Sequence, residues 1–259
     1  MESTFNLEIF DIKLDTDVIG RNFIYSEEVN STNSQLLDKA SGNIHGTTLL
    51  TEKQSKGHGR KERLWYSMKG MNLTFSILLT NRKYFTKQFN LLNFAAALTP
   101  ALSIENLFQL KTELKWPNDV LINGKKVSGI LIESSSKGEK LERVVIGIGL
   151  NVNQTIFQGS FNIPPTSLKN ETGQTIEREM LLAELLNVFE ETLENVVANP
   201  KWILKEWKAR CRMIGEKISV TEDDKVKYGI FDDIDENGFL LLRTNKKTEK
   251  IYFGDVSLA

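Results

Sequence analysis

The chain has 259 residues, of which 26% are charged, and its formal net charge is −1 at pH 7. A chain of this length can bury a full core, which predicts one large domain and a small second one. Its near-neutral balance predicts neither DNA nor a membrane surface as a partner. The single cysteine, Cys211, excludes an internal disulfide, and two histidines leave no Cys/His cluster for zinc.

The N-terminal residues lack a basic and apolar signal design. No apolar run approaches the ~20 residues that a membrane span requires. Together with the lone cysteine, these features predict a soluble protein of the reducing cytoplasm.

The first polar motif is Ser31-Thr32-Asn33, which follows a predicted strand at Phe23–Tyr25. Thr32 and Gln35 have the spacing of a capping box, so a helix is predicted to begin here. The hydroxyls then either cap that helix or, with the free N–H groups of its first turn, bind a polar ligand.

A basic loop follows from Gln54 to Trp65, with the sequence QSKGHGRKERLW. Glycine lets the backbone approach a ligand closely, and arginine supplies paired donors for anionic oxygens. A charged loop in solvent would look the same. The loop is neither a Walker A motif nor a Rossmann fingerprint, because the required glycines and the following helix are absent.

The stretch ELKWPNDVLINGKKVSGILIE, residues 113–133, predicts a β-hairpin. Asn123-Gly124 suits a type I′ turn, in which both central residues need a positive φ. Lys126 and Gly129 are three positions apart, which places them on opposite faces of a regular strand. We predict a β-bulge near Ser128 that turns both toward a ligand; otherwise Gly129 serves packing behind the site.

The remaining elements alternate between helices and strands. A helix is predicted over residues 89–108, with Pro100 kinking or breaking it. A strand follows whose Gly147 and Gly149 leave room for a ligand or for close packing of a helix. Residues 154–175 predict a long surface loop, and two helices follow it. From residue 213 onward four short strands predict a small barrel-like module that docks on the main domain.

Taken in order, these motifs resemble the biotin–protein ligases (biotin–[acetyl-CoA-carboxylase] ligases). The resemblance covers nearly the whole chain and rests on Ser31–Asn33, Gln54–Trp65, Gly70–Leu73, Lys115–Asp119, Lys126–Leu131, Gly147–Asn151 and the terminal strands. It implies an α+β fold, in which a mixed central β-sheet with packed helices (class II synthetase-like) is followed by a small C-terminal SH3-like β-barrel. The implied domains are residues 1–212, which bind biotin and ATP, and residues 213–259.

The resemblance also implies the chemistry. With ATP and Mg²⁺, members of the family convert biotin to biotinyl-5′-AMP and then transfer biotin to one lysine of a biotin carboxyl carrier protein domain. Homodimers occur in the family, so a homodimer is left open here. Some members carry an N-terminal DNA-binding domain, for which residues 1–22 are too few.

Site residues carry over by position. The resemblance implies catalytic roles for Lys126, Arg60 and Arg63. It implies a biotin site formed by Ser31, Thr32, Asn33, Gln54, Gly57, His58, Gly59, Arg60, Lys126 and Gly129. It implies a nucleotide site formed by Arg60, Arg63, Trp65, Asn118, Lys126 and Asn151, with Asp119 as a ligand of Mg²⁺. Lys125, on the opposite strand face, is assigned to solvent.

The basic loop departs twice from the usual family pattern GRGRxGR. His58 stands where arginine is usual, and Glu62 where glycine is usual. Both changes bear on how well the loop retains an adenylate. Two alternatives remain: a lipoate–protein ligase, which uses similar adenylate chemistry, and a biotin sensor without catalysis. The loop and the terminal strands favour biotin over lipoate, and Lys126 with Arg60 favours an enzyme over a sensor.

Overall fold

The computed structural model describes residues 5–85, 90–223, 225–245 and 247–259, without the side chain of Glu62. The helices in these ranges are α1 (Leu7–Lys13), α2 (Thr32–Leu37), α3 (Asn90–Phe108), α4 (Leu168–Thr172), α5 (Arg178–Ala198) and α6 (Pro200–Arg210). The strands are β1 (Phe23–Val29), β2 (Thr48–Gln54), β3 (Leu73–Leu79), β4 (Glu113–Lys115), β5 (Asp119–Ile122), β6 (Lys125–Lys137), β7 (Lys140–Leu150), β8 (Lys217–Glu222), β9 (Lys225–Ile234), β10 (Leu240–Arg243), β11 (Thr248–Ile251) and β12 (Asp255–Leu258).

The main sheet has seven strands in the order β1-β2-β3-β7-β6-β5-β4. β1 and β2 are parallel, and every other neighbouring pair is antiparallel. The predicted mixed central sheet is therefore confirmed. Hairpins join β4 to β5, β5 to β6 and β6 to β7, so one continuous stretch of sequence builds four of the seven strands.

One face of this sheet, the helix face, is covered by α1, α3, α5 and α6. Apolar side chains at alternate positions of β3, such as Phe75 and Ile77, point into this layer and are fully buried. Phe94 of α3 stacks on Trp207 of α6, with ring centroids 4.4 Å apart. Burial of these large side chains supplies most of the free energy that holds the helices on the sheet.

A kink or a break was predicted at Pro100. α3 is continuous through this residue, so the break is wrong and the kink stays a prediction. The predicted start at residue 89 lies outside the described residues. By length and composition alone this helix could cross a membrane, contrary to the expectation that no apolar run approaches that length. However, 67% of its most apolar window is buried inside the fold, as in the core helix of a globular domain.

The opposite face of the sheet is covered only at one end. There α2 packs Leu36 on Leu49, Leu78 and Val145 in a small separate cluster. The rest of this face carries polar side chains and glycines, and it bears the candidate site. We call it the site face.

The last five strands form a second sheet, antiparallel throughout, in the order β11-β10-β9-β8-β12. Backbone pairs among the described residues do not join β11 to β12, so the sheet is open at the level of its hydrogen bonds. It docks on the main domain as predicted: Trp116 donates from Nε1 to the carbonyl of Gly238, and the hydrophobic core is continuous between the two sheets.

Three segments differ from the sequence-based prediction. Helix α1 and strand β12 were not predicted from the sequence. The predicted long surface loop, residues 154–175, contains α4 and buries Thr166, Ser167 and Leu168. Tertiary contacts fix this segment, because the amide of Thr166 donates to the carbonyl of Lys126.

Candidate active site

The hairpin between β5 and β6 forms as predicted, with φ values of 51° at Asn123 and 73° at Gly124. Val120 pairs with Ser128, but Leu121 pairs with Lys126, so Val127 is an extra residue in β6. This bulge brings Lys126 and Gly129 to the same face of the sheet. A Cβ atom added to Gly129 would lie 3.1 Å from Nζ of Lys126. The predicted bulge is confirmed.

A row of paired residues crosses the site face and forms the floor of a trough. It runs from Thr74 through Gly149, Gly129 and Asp119 to Lys115. The two glycines leave a gap in the middle of the row. The indole of Trp65 lies on this gap, since a Cβ at Gly149 would come within 2.3 Å of its ring atoms.

Gly147 lies one row further along β7 and has a different neighbour. A Cβ there would come within 2.4 Å of the amide oxygen of Asn33 in α2. Close packing of a helix is therefore confirmed at Gly147, and a ligand lying against the strand stays a prediction. Gly147 lets a helix pack closely on the sheet, whereas Gly149 opens the floor beneath a loop residue.

Lys126 occupies the centre of the trough. Its Nζ lies 2.6 Å from Oδ1 of Asp119 and 5.9 Å from the centre of the Trp65 ring. The bulge and the turn fix its backbone, and its N–H donates to the carbonyl of Pro164. The neighbouring Lys125 points away, is half exposed and pairs with Glu171 at 3.6 Å, in agreement with its assignment to solvent.

A chain of hydrogen bonds forms the wall at the α2 end. Oε1 of Gln54 accepts from both the N–H and the hydroxyl of Thr32, at 2.8 and 3.1 Å. Ser76 donates from its hydroxyl toward Thr32 and Asn33, each at 2.6 Å. Ser31, rather than Thr32, caps the helix by accepting from the amide of Ser34. These neutral polar groups are thus already oriented by one another.

Glu133 extends this chain to the basic loop. Its Oε2 accepts from the amide of Asn33 at 2.7 Å, and its Oε1 lies 3.7 Å from Nε2 of His58. The residue that departs from the family pattern therefore faces a carboxylate. The other departure, Glu62, has a side chain outside the described part of the structure.

The basic loop folds back on itself. The N–H of Gly59 donates to the carbonyl of Arg63, and the N–H of Trp65 donates to that of Gly57. A Cβ at Gly57 would lie 2.9 Å from the carbonyl oxygen of Trp65, so glycine is needed where the two strands of the loop approach each other. This short hairpin delivers Trp65 to the trough.

The cations of the loop converge on Asp255, in β12. Arg63 contacts its carboxylate at 2.5 Å, and Arg60 and Lys61 each lie 3.6 Å from it. Arg60 also donates to the carbonyl of Gly254 at 3.1 Å and to Oδ1 of Asn118 at 3.4 Å. Burial lowers the pKa of the Arg60 guanidinium, and the charge of Asp255 opposes that shift. The second sheet thus closes one side of the trough.

Asn118 and Asn151 hold backbone in this structure. Asn118 donates to the carbonyl of Ile130 at 2.6 Å, which ties the corner before β5 to β6. Asn151 is buried and donates to the carbonyl of Thr166 at 3.0 Å. Asn118 also faces Arg60, whereas Asn151 lies beneath the segment that follows β7. Their nucleotide contacts stay predictions.

Two polar atoms in the trough are buried without a hydrogen-bond partner among the described residues, Nε1 of Trp65 and Oγ1 of Thr74. Buried polar groups are nearly always satisfied, and leaving one unpaired costs about 1–3 kcal/mol. Both atoms belong to residues at the glycine gap or next to it. A polar ligand next to the indole would supply the partners that these two atoms lack.

The described side chains of the trough do not form a complete set of metal ligands. Among the described residues no group of three or more His, Cys, Asp or Glu side chains converges on one point. Mg²⁺ is commonly held by one or two carboxylates together with substrate phosphates and water. The carboxylate of Asp119, on the trough side of β5, fits such a partial donor set.

Three charged residues of the trough were not among the predicted site residues: Lys115, Glu133 and Asp255. Lys115 stands inside the KWPND motif and could have been proposed from that position. Glu133 and Asp255 carry no local signal, because each is brought to the trough only by strand pairing or domain docking. Separate from the trough, a depression of about 660 Å³ along α6 contains none of the predicted site residues.

Comparison with known proteins agrees with this architecture. Residues 25–151 match the Biotin/lipoate A/B protein ligase family, and residues 213–259 match the Biotin protein ligase C terminal domain. The Bifunctional ligase/repressor BirA of Bacillus subtilis is 34% identical over 251 residues, which are 95% of this chain and 76% of the relative. A Biotin–[acetyl-CoA-carboxylase] ligase of Paracoccus denitrificans is 34% identical over 220 residues, 82% of this chain and 90% of the relative.

Among solved structures, the biotin protein ligase of Aquifex aeolicus in complex with biotin and ATP superposes with a TM-score of 0.81. The two chains are 29% identical, and the match covers 92% of this chain and 99% of that one. The similarity therefore extends over nearly the whole fold. The chain belongs to the biotin protein ligase family.

Proposed function

We propose that this protein is an ATP-dependent biotin–[biotin carboxyl-carrier protein] ligase. It activates biotin to biotinyl-5′-AMP and transfers biotin to a specific lysine of a biotin carboxyl carrier protein domain. The observation that carries the proposal is the trough itself. Lys126 stands between a wall of neutral hydrogen-bonding groups and a cluster of cations.

The wall suits the neutral head of biotin. A ureido ring offers two N–H donors and a carbonyl, and Thr32, Gln54 and Asn33 present matching donors and acceptors. The dithiolane head of lipoate has no such groups and would leave them unpaired, at a cost of about 1–3 kcal/mol per buried group. We assign Ser31 and the backbone of Gly57, His58 and Gly59 to the same end of the trough.

Activation joins two anions. A carboxylate oxygen of biotin attacks the α-phosphorus of ATP, the bond to the β-phosphate breaks, and pyrophosphate leaves. Catalysis of such a step is chiefly positioning and charge stabilisation. Lys126, whose ammonium now pairs with Asp119, offsets the repulsion between carboxylate and phosphate. Arg60 and Arg63 exchange their contacts with Asp255 for phosphate oxygens.

Asp119 and Asn118 would hold Mg²⁺ together with phosphate oxygens, and the ion would neutralise part of the phosphate charge. Trp65 then covers the adenylate, and Asn151 supports the segment that closes over the base. In the second step the acceptor amine attacks the acyl carbon of biotinyl-AMP. The bond from that carbon to the phosphate oxygen breaks, AMP leaves, and the amine loses a proton.

Residues 1–212 and 213–259 are proposed as the two functional domains, with Asp255 of the second facing the basic loop of the first. We propose a cytoplasmic location, where the one cysteine, Cys211, stays reduced; it is free and buried in the structure. A homodimer is the assembly suggested by the family resemblance, and analytical ultracentrifugation measures it.

The test combines purified protein, labelled biotin, Mg-ATP and a purified carrier domain, with transfer detected on a denaturing gel. We expect label on the wild-type carrier and none on a carrier whose acceptor lysine is replaced by arginine. Omission of ATP should abolish transfer. Adenylate formed from lipoate and not from biotin would identify a lipoate ligase. Biotin binding without labelling would identify a sensor.

A further inference from the structure

Lys115 is a basic residue of the trough that the proposed steps do not use. It ends β4, the edge strand of the main sheet, directly opposite Asp119 of β5. Opposed residues of an antiparallel pair project from the same face, so Lys115 stands on the trough side. Its ammonium forms no hydrogen bond or ion pair with any residue that the structure describes.

Burial without a partner raises the free energy of the charged lysine side chain. A desolvated ammonium is destabilising unless it is paired. Burial lowers the pKa of Lys115; the charge of Asp119 opposes that shift and the charge of Lys126 adds to it. The nearby carboxylates are already engaged, Asp119 by Lys126 and Asp255 by Arg63.

Among the side chains that the structure describes, basic ones therefore outnumber acidic ones around Asp119 and Asp255. The basic ones are Arg60, Lys61, Arg63, Lys115 and Lys126. Such an excess of positive charge suits a polyanion, and a triphosphate is the most highly charged group in the proposed reaction. Arg63 and Lys115 both interact electrostatically with Asp255, so both belong to this cluster of charges.

We propose that Lys115 binds the β- and γ-phosphates of ATP and the pyrophosphate that leaves. This inference rests on the proposed function. Lys126 faces the reacting carboxylate and α-phosphate, so the rest of the phosphate chain extends past Asp119 toward the edge strand. When the bond between the α-phosphorus and the bridging oxygen breaks, the electron pair stays on pyrophosphate. Lys115 stabilises that charge.

The proposal separates the two half-reactions. Pyrophosphate leaves before biotin is transferred, so Lys115 contributes to adenylation and not to transfer. A residue that merely shaped the trough would affect biotin binding and transfer as well. This difference is the basis of the test.

The experiment compares the wild type with Lys115→Met, Lys115→Arg and the control Lys125→Met. Pyrophosphate release is measured against ATP concentration, biotin binding by calorimetry, and transfer with purified biotinyl-adenylate as donor. For Lys115→Met we expect kcat/KM for ATP to fall about 10- to 100-fold, as for loss of one hydrogen bond between charged groups. Biotin affinity and transfer should stay within about twofold, because neither step contains pyrophosphate.

Lys115→Arg keeps the charge and should recover most of the loss, and Lys125→Met should match the wild type. The proposal is overturned if Lys115→Met keeps kcat/KM for ATP within about threefold. Equal losses in biotin binding and transfer would also overturn it. If the wild type forms no biotinyl-adenylate, the proposed function itself fails. Lys115 is then judged by calorimetric binding of Mg-ATP, where unchanged affinity in Lys115→Met refutes the role.

Discussion

The two faces of the main sheet differ in how their buried polar and charged groups are paired. On the helix face, Glu52 and Arg178 form a buried ion pair at 2.7 Å, with side chains 4% and 3% exposed. Both carboxylate oxygens of Glu52 are satisfied, because Tyr25 and the amide of Gly70 also donate to them. On the site face, Lys115 lies half-buried without a partner among the described residues, and two polar atoms beside the glycine gap are unpaired.

This contrast separates stability from function. A buried charge that is fully paired holds elements together, and removing one partner leaves the other uncompensated. Polar and charged groups that lack partners lower the stability of the free protein and are retained where a ligand supplies the missing contacts. The helix face should therefore respond to mutation in unfolding experiments, and the site face in binding and rate experiments.

The largest effect is expected on the helix face. Glu52→Gln leaves Arg178 buried without its counter-charge, which should lower the free energy of unfolding by about 3–5 kcal/mol. Urea denaturation measures this loss. Glu28→Gln removes the exposed partner of Lys53 and serves as the matched control, with no measurable change.

The variant Glu52→Gln can also be tested by titrating the hydroxyl of Tyr25. Burial first, and then the charge of Glu52, raise the pKa of Tyr25 to about 12. Loss of that negative charge makes the phenolate easier to form, so the pKa of Tyr25 should fall in Glu52→Gln. Absorbance of phenolate against pH detects the change, and an unchanged titration would contradict the described contact.

Next in size is Lys126→Ala. Loss of one donor that stabilises developing charge costs about 3–4 kcal/mol in the transition state, which lowers the adenylation rate by about 10²- to 10³-fold. The residue lies in the trough and outside the core, so the thermal midpoint should change little. Near-normal pyrophosphate release by a folded Lys126→Ala protein would refute the catalytic role.

Gly149→Ala tests the gap in the floor. The new Cβ would meet the Trp65 ring at 2.3 Å, and overpacking of this kind costs about 1–3 kcal/mol. We expect weaker binding of biotin and ATP and a change in tryptophan fluorescence as the indole moves. In the double variant with Trp65→Ala the clash is gone, so the stability losses should not add. Strict additivity would show that the two residues do not touch.

The smallest effect concerns Lys115 and stability. Because burial lowers its pKa, the folded protein binds this proton less tightly than the unfolded chain does. The protonated form therefore destabilises the fold at neutral pH, and stability recovers as the pH rises through the lowered pKa toward the ordinary value of about 10.4. Lys115→Met should raise the thermal midpoint slightly at pH 7, and the gain should shrink toward pH 10. A lower midpoint at pH 7 would indicate that the ammonium is stabilising.

Local sequence was sufficient to predict those parts of the structure that depend on the backbone geometry of a few neighbouring residues. The turn at Asn123-Gly124 follows from the need for positive φ at both positions, and the spacing of Lys126 and Gly129 required a bulge. Helices α5 and α6 follow from apolar spacing and from Pro200 at a first helical position. The order and spacing of the motifs were also enough to predict the family and the proposed reaction.

Other features were decided only by tertiary structure. Glu133 reaches the site because β6 lies beside β7 beneath α2, and Asp255 because the second sheet docks on the basic loop. Ser31 and Thr32 looked alike in sequence, yet one caps α2 and the other binds Gln54. Pro100 stays within α3, whose surroundings are packed tightly enough to keep the helix continuous.

Local sequence thus determined which backbone shapes form and which chemical groups are available, because torsional preferences and periodic burial act over a few residues. The tertiary structure decided which of those groups meet and which of them lack a partner. Whether two groups pair depends on their positions in three dimensions. Residues that meet in the trough, such as Arg63 and Asp255, are separated by most of the chain in sequence.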